Sequence, residues 1–274
     1  MASGAQPKRK PRWRYVLPNA ITCGSMLVGL AAFKFAVVGE YLESAWLIIL
    51  CVVLDKLDGT VARLLNATST IGAQLDSFAD FVSFGIAPSA LVFSLIRGMP
   101  PDSGEGPFSW WHPDAASYLN HALSSVFVVC AAIRLAKFNV IKDAALDLTG
   151  TPVFYGLPST MAGALIAAAV VVGIEHQWVE MLSALPVIVA GLGALMVLNF
   201  PMPKVSKRPS LLLNIFVFSN AALMITCGII RLWPEYLLVM LVFFTGVGVV
   251  WGIIYGRTLE TKTLDPYETD EGES

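Results

Sequence analysis

Charge is scarce in this chain of 274 residues: Asp, Glu, Lys and Arg together make up 14%, against about a quarter in soluble domains. That shortage argues against a water-soluble enzyme. Histidine is scarcer still, with only His112, His121 and His176, and none stands near the acidic cluster described below, so histidine-based phosphotransfer is not expected. The four cysteines (Cys23, Cys51, Cys130, Cys227) lie inside apolar runs with no CxxC spacing, which speaks against a disulfide framework or a thiolate metal site. No internal repeat or low-complexity segment is visible. No cleavable signal peptide is expected, because Lys8-Arg9-Lys10 leads into an apolar run too long for a signal h-region. A net charge of −2 excludes bulk attraction to nucleic acid.

What is present is hydrophobic: 56% of the residues, gathered into eight runs of about 20, each long enough to cross ~30 Å of hydrocarbon as a helix. The expected spans are 20–38, 42–65, 72–96, 116–138, 155–174, 178–199, 211–230 and 235–256. The fold class is therefore all-α, a polytopic membrane helix bundle of about eight transmembrane helices. Residues 1–19 form a basic juxtamembrane segment, and 257–274 an acidic tail. The longest connection, 97–115, is rich in Gly, Pro and Ser and carries Trp110 and Trp111, as an interfacial loop does. With the N-terminus cytoplasmic, fourteen Lys and Arg collect on that side and two, Arg97 and Arg231, on the other. The positive-inside rule then places both termini in the cytoplasm.

Four aspartates sit where apolar residues should be. They lie in Asp55-Lys56-Leu57-Asp58-Gly59-Thr60-Val61-Ala62-Arg63 and in Gly72-Ala73-Gln74-Leu75-Asp76-Ser77-Phe78-Ala79-Asp80. A helix-centre Asp costs ~2.5–3.5 kcal/mol to insert, and only Lys56 and Arg63 are nearby cations. The uncompensated negative charge suits divalent metal. At about 100° per residue, Asp55, Asp58, Gly59, Ala62 and Arg63 share an arc of one helix, and Gly72, Asp76 and Asp80 an arc of the next. A short loop makes the two helices antiparallel neighbours whose acidic faces can meet, near the cytoplasmic surface. Oxygen ligands without histidine favour hard cations such as Mg²⁺ or Mn²⁺. A pair of such ions stabilises attacking and leaving oxygens in phosphoryl-type displacement. Gly59 and Gly72 would let a phosphate-bearing ligand approach the backbone, and Arg63 would hold a diphosphate oxygen.

The pattern D-x2-D-G-x2-A-R-x8-G-x3-D-x3-D from Asp55 to Asp80 resembles, without departure, the signature of the CDP-alcohol phosphatidyltransferase family. The resemblance implies that Asp55, Asp58, Asp76 and Asp80 are ligands to two divalent metals, with Asp80 also the general base. It implies that Gly59, Ala62, Arg63 and Gly72 line the pocket for the CDP-linked lipid. Pro18-Asn19 with Thr22 is similar to the family's element ahead of the first span, which adds Asn19 and Thr22 to that pocket. A six-helix core over 20–200, an accessory helix pair over 201–256 and a homodimer are also implied.

The family moves the lipid-bearing phosphoryl group of a CDP-linked lipid onto an alcohol, with CMP leaving. Arg134-Leu135-Ala136-Lys137-Phe138-Asn139, and Phe154-Tyr155-Gly156-Leu157-Pro158-Ser159 after the next loop, resemble the branch that transfers from CDP-diacylglycerol to L-serine. That branch usually reads R-L-A-R-F-N at the first of these sites, and Lys137 here replaces the second Arg. Arg134 and Lys137, one turn apart, suit an amino-acid carboxylate, and Asn139 adds a neutral hydrogen bond. The same transfer to glycerol 3-phosphate or an inositol compound is the nearest alternative. A cation transporter is a more distant one, since ion relays spread their acids across the membrane depth and these four cluster near one face.

Overall fold

The computed structural model describes residues 13–67, 69–99, 115–144, 153–203 and 211–256. The expectations for the acidic tail, residues 8–12, Trp110, Trp111 and His112 lie outside the described residues. Among the described residues eight helices follow one another: α1 (Trp13–Val38), α2 (Tyr41–Leu64), α3 (Thr70–Gly98), α4 (Ala115–Ala144), α5 (Ser159–Glu175), α6 (Val179–Val197), α7 (Leu211–Ile230) and α8 (Pro234–Gly256). Each corresponds to one expected span. Five of them, α1, α3, α4, α6 and α8, are long and apolar enough to cross a membrane. Helix α2 has the length, at 24 residues, but carries the charged motif; α5 has 17 residues, and the described apolar stretch of α7 is 214–230. The all-α membrane bundle is thus the observed architecture, with one addition.

That addition is a short antiparallel ladder between β1 (Val153–Tyr155) and β2 (Pro201–Pro203), in the register Val153↔Pro203, Phe154↔Met202 and Tyr155↔Pro201. The expected fifth span began at 155, inside β1. Prolines on both sides of Met202 remove two backbone donors, which allows only an edge strand and hides it from a pattern reading.

Helix α5 is the axis of the bundle. Apart from its ends it is an unbroken series of Ala, Val, Gly, Leu and Ile, and residues from Ala162 to Gly173 are buried, as a helix apolar all round requires. It packs on α2, α6, α8 and the middle of α3. At Gly163 an added Cβ would stand 3.0–3.2 Å from Phe84, so the close approach of α3 depends on that glycine.

Helix α3 is not uniform. Residues Phe81–Ile86 form a π-helical turn, closed by an Ala87 N–H donating to the Val82 carbonyl. Pro88 follows and lacks the N–H that would bond Phe84, which favours the wider turn. The segment Thr70–Asp80 packs chiefly on α1, whereas α2 meets α3 mainly through the later residues. At the acidic end α2 and α3 therefore stand apart, flanked by α1. Ser69 caps α3, its Oγ accepting from the Gly72 N–H at 3.0 Å.

The opposite end of the bundle is closed by tight turns with left-handed residues at Gly39, Gln177, Arg231 and Trp233. There Arg231 pairs with Glu43 at 2.8 Å and His176 with Glu235 at 2.6 Å. Both pairs tie the α7–α8 hairpin to the preceding helices.

Candidate active site

Carboxylate oxygens of Asp55, Asp76 and Asp80 lie within 4.8 Å of one another. Asp55 comes from α2 and the other two from successive turns of α3, so the gap between the helices is bridged by acid groups. Such a triplet of hard oxygens fits a divalent cation. Lys56 Nζ donates to Asp55 Oδ2 at 2.9 Å, from a largely exposed position. Arg134, reaching in from α4, interacts electrostatically with Asp80 and Asp55.

Asp58 does not join the triplet. It is buried, 5% exposed, and turned toward α1, where the Thr22 hydroxyl donates to its Oδ2 at 2.8 Å. Asp55 and Asp58, three residues apart, differ by only about 60° around α2, and within that shared arc Asp58 is the one that meets α1. Thr22 is itself buried and stands 3.1 Å from the Pro18 carbonyl. Asp55, Asp76 and Asp80 thus stand together, with Asp58 beside them on α2 and bonded to α1.

The glycines mark two recesses. A Cβ at Gly72 would stand 3.0 Å from Ser69 Oγ and 3.1 Å from Asn19 Oδ1, so Gly72, Asn19 and Ser69 gather around one polar hollow between α1 and α3. At Gly59 the nearest group is the Arg63 guanidinium, 3.7 Å from the same hypothetical atom. Arg63 is exposed, and its Nη2 donates to Thr60 Oγ1 at 3.4 Å. Ala62 is partly exposed on the same surface.

The three residues singled out on α4 are each engaged by the protein. Arg134 Nη1 donates to Ser159 Oγ at 2.7 Å, and its guanidinium lies 5.7 Å from the Phe138 ring centroid. Lys137 Nζ donates to Asn199 Oδ1 at 2.8 Å and to the Val197 carbonyl at 3.2 Å, at the C-terminus of α6, where a cation is favoured. Asn139 exchanges hydrogen bonds with Ser77, Nδ2 donating to Ser77 Oγ at 3.1 Å, beside Asp76. Sequence reasoning did not assign roles to Ser69, Ser77, Ser159 and Asn199. Ser69 was legible as a helix cap from its place before the α3 pattern, and Ser159 as the first residue after Pro158; Ser77 and Asn199 carried no local signal.

His121 packs edge-on to Phe93, with ring centroids 5.4 Å apart, and His176 pairs with Glu235. Both lie toward the end remote from the aspartates, as expected.

Residues 15–251 match the model of the CDP-alcohol phosphatidyltransferase family, and the chain belongs to that family. It is thus an integral membrane enzyme of the class that the aspartate signature defines. Among its relatives is a CDP-diacylglycerol–serine O-phosphatidyltransferase of Helicobacter pylori, 30% identical over 253 residues, 91% of this chain and 94% of that protein. Proteins of the same description from Mycobacterium bovis and Methanocaldococcus jannaschii are each 28% identical. They align with 85% of this chain in both cases, and with 78% and 92% of their own lengths.

Proposed function

We propose that the protein transfers the phosphatidyl group of CDP-diacylglycerol to the hydroxyl of L-serine, giving phosphatidylserine and CMP. The observation that carries this reading is the Asp55–Asp76–Asp80 triplet with Arg134 in electrostatic reach, in a chain whose relatives are described as serine transferases. Asp55, Asp58, Asp76 and Asp80 would hold two Mg²⁺ or Mn²⁺ ions. Once bound, these supply neutralisation of the diphosphate and of the charge that develops on its oxygens.

The remaining chemistry belongs to side chains. Asp80 takes the proton of the acceptor hydroxyl as its oxygen forms a bond to the lipid-side phosphorus. The phosphoanhydride bond breaks on the opposite side and CMP departs. Arg134, already oriented by Ser159, binds the acceptor carboxylate in bidentate fashion, and Lys137 and Asn139 frame that pocket. Asn19, Thr22, Gly59, Ala62, Arg63 and Gly72 surround the nucleotide and diphosphate. The site faces the cytoplasm together with both termini of a cell-membrane protein. Residues 20–200 are the catalytic core and 201–256 an accessory pair, in a homodimeric assembly.

The test is CMP release from purified protein in detergent, supplied with CDP-diacylglycerol, Mn²⁺ or Mg²⁺, and single alcohols in turn. Release with L-serine, abolished by chelator and reduced by at least about a thousandfold in Asp80→Asn, is the expected result. Release with glycerol 3-phosphate or an inositol compound instead would keep the aspartate chemistry and replace the acceptor.

A further inference from the structure

Helix α8 is remote from the aspartates in sequence, yet it grips the segment that the acceptor-side residues hold. Two glycines one turn apart, Gly248 and Gly252, form a bare strip against which β2 lies. A Cβ at Gly248 would collide with the Met202 Cε. A Cβ at Gly252 would collide with the Pro201 carbonyl oxygen and stand 2.8 Å from Phe200 Cδ2. Pro201 and Met202 are both buried. The third glycine of this stretch, Gly246, faces open space.

From β2 the connection to the site is short. β2 pairs with β1, and immediately after β1 the Gly156 N–H donates to the Phe200 carbonyl at 2.9 Å and the Leu157 N–H to the Leu195 carbonyl at 3.0 Å. Gly156 has φ +73°, and a Cβ there would meet the carbonyl oxygens of Met196 and Leu198 at 2.5 and 2.9 Å. Only glycine combines that conformation with that approach. Three residues later Ser159 receives Arg134, and on the β2 side Asn199 and Val197 receive Lys137. The two cations of α4 therefore clasp the two flanks of one backbone strap, and α8 presses on the strap from the other side.

We propose that Gly248 and Gly252 of α8 are positioning residues for the acceptor pocket: by seating β2 they fix the β1–β2 strap, and through it the Ser159 hydroxyl that orients Arg134. This gives the last helix pair a role in substrate selection rather than in anchorage alone. It rests on the assignment of Arg134 to the acceptor. A backbone carbonyl cannot swing aside as a methionine terminus can, so Gly252 is the more sensitive of the two.

The experiment measures KM separately for the acceptor and for CDP-diacylglycerol in full-length wild type, Gly252→Ala and Gly246→Ala. A displacement of about 1 Å at a positioning group costs up to ~100-fold. Gly252→Ala is accordingly expected to raise the acceptor KM at least about tenfold, while CDP-diacylglycerol KM moves less than about twofold and Gly246→Ala matches wild type. Should Gly252→Ala not fold, Gly248→Leu with and without Met202→Ala decides. The single variant is expected to raise acceptor KM, and the pair, which moves volume from one side of the contact to the other, to restore it. An unchanged acceptor KM in the folded variant, equal increases for both substrates, or no rescue by Met202→Ala would overturn the proposal. If wild type uses an alcohol other than serine, the acceptor assignment is what fails, and the same comparison made with that alcohol still decides the role of α8.

Discussion

Thr22 and Asp58 show how a single hydroxyl can matter to an acidic site. The hydroxyl donates to one carboxylate oxygen at 2.8 Å in a buried position, and a hydrogen bond to a charged group contributes about 1.5–3 kcal/mol. Thr22→Val keeps the volume and removes the donor. It is expected to weaken the divalent-cation dependence of activity by about tenfold or more, on the scale of that hydrogen bond, whereas Thr22→Ser stays near wild type; titrating activity with Mn²⁺ checks both. Unaltered metal dependence in Thr22→Val would show that Asp58 needs no orientation by α1. The same scale explains what was readable beforehand. The four aspartates of the signature were legible because aspartate inside an apolar helix is costly and therefore conspicuous. That Asp58 turns to α1 while Asp55 turns to α3 was not legible, because both residues fall on one arc of α2 and only the placement of α1 separates them.

At the scale of elements, spacing and hydropathy were enough to recover all eight helices. What they missed are features in which tertiary contact overrides local pattern. The β1–β2 ladder carries two prolines in one three-residue strand, a composition that argues against a strand until a partner is at hand. The π turn of α3 is announced only by Pro88, since nothing in Phe81–Ile86 departs from a helical pattern. Its close contacts fall at glycines: Gly29 lies against Ser83, Gly163 against Phe84, and Gly85 of the turn itself against Phe81 and Ala131. Gly163→Leu should be costly, because it overpacks the backbone of α3 as well as the Phe84 ring; overpacking costs about 1–3 kcal/mol. A clear fall in the thermal unfolding temperature in detergent is expected, and an unchanged value would mean that α3 and α5 can separate without loss.

The whole molecule has two unlike ends. One holds the aspartates, Arg63, Arg134 and Lys137; the other holds the tight turns with the Arg231–Glu43 and His176–Glu235 pairs. The proposed orientation predicts that, in a cysteine-free background in intact cells, a cysteine at Gln177 reacts with an impermeant maleimide from outside. One at Asn66 should react only after the membrane is opened, and the reverse pattern would invert the orientation. The Arg231–Glu43 ion pair and the His176–Glu235 hydrogen bond are solvent-facing, with side chains 42–48% exposed, and an exposed ion pair contributes little to stability. Helix α5 has a consequence of another sort. Its 17 residues extend about 26 Å, short of the ~30 Å hydrocarbon layer, and its burial by other helices removes any need to match that thickness. Ser159, at the head of this helix, is buried; in the proposed reaction the acceptor comes from water, while the donor comes from the membrane. The two reagents are thus measured on different scales, one in moles per litre and the other as a mole fraction of the film. Diluting CDP-diacylglycerol with inert detergent at fixed bulk concentration should slow the reaction through the donor alone and leave the acceptor KM where it was.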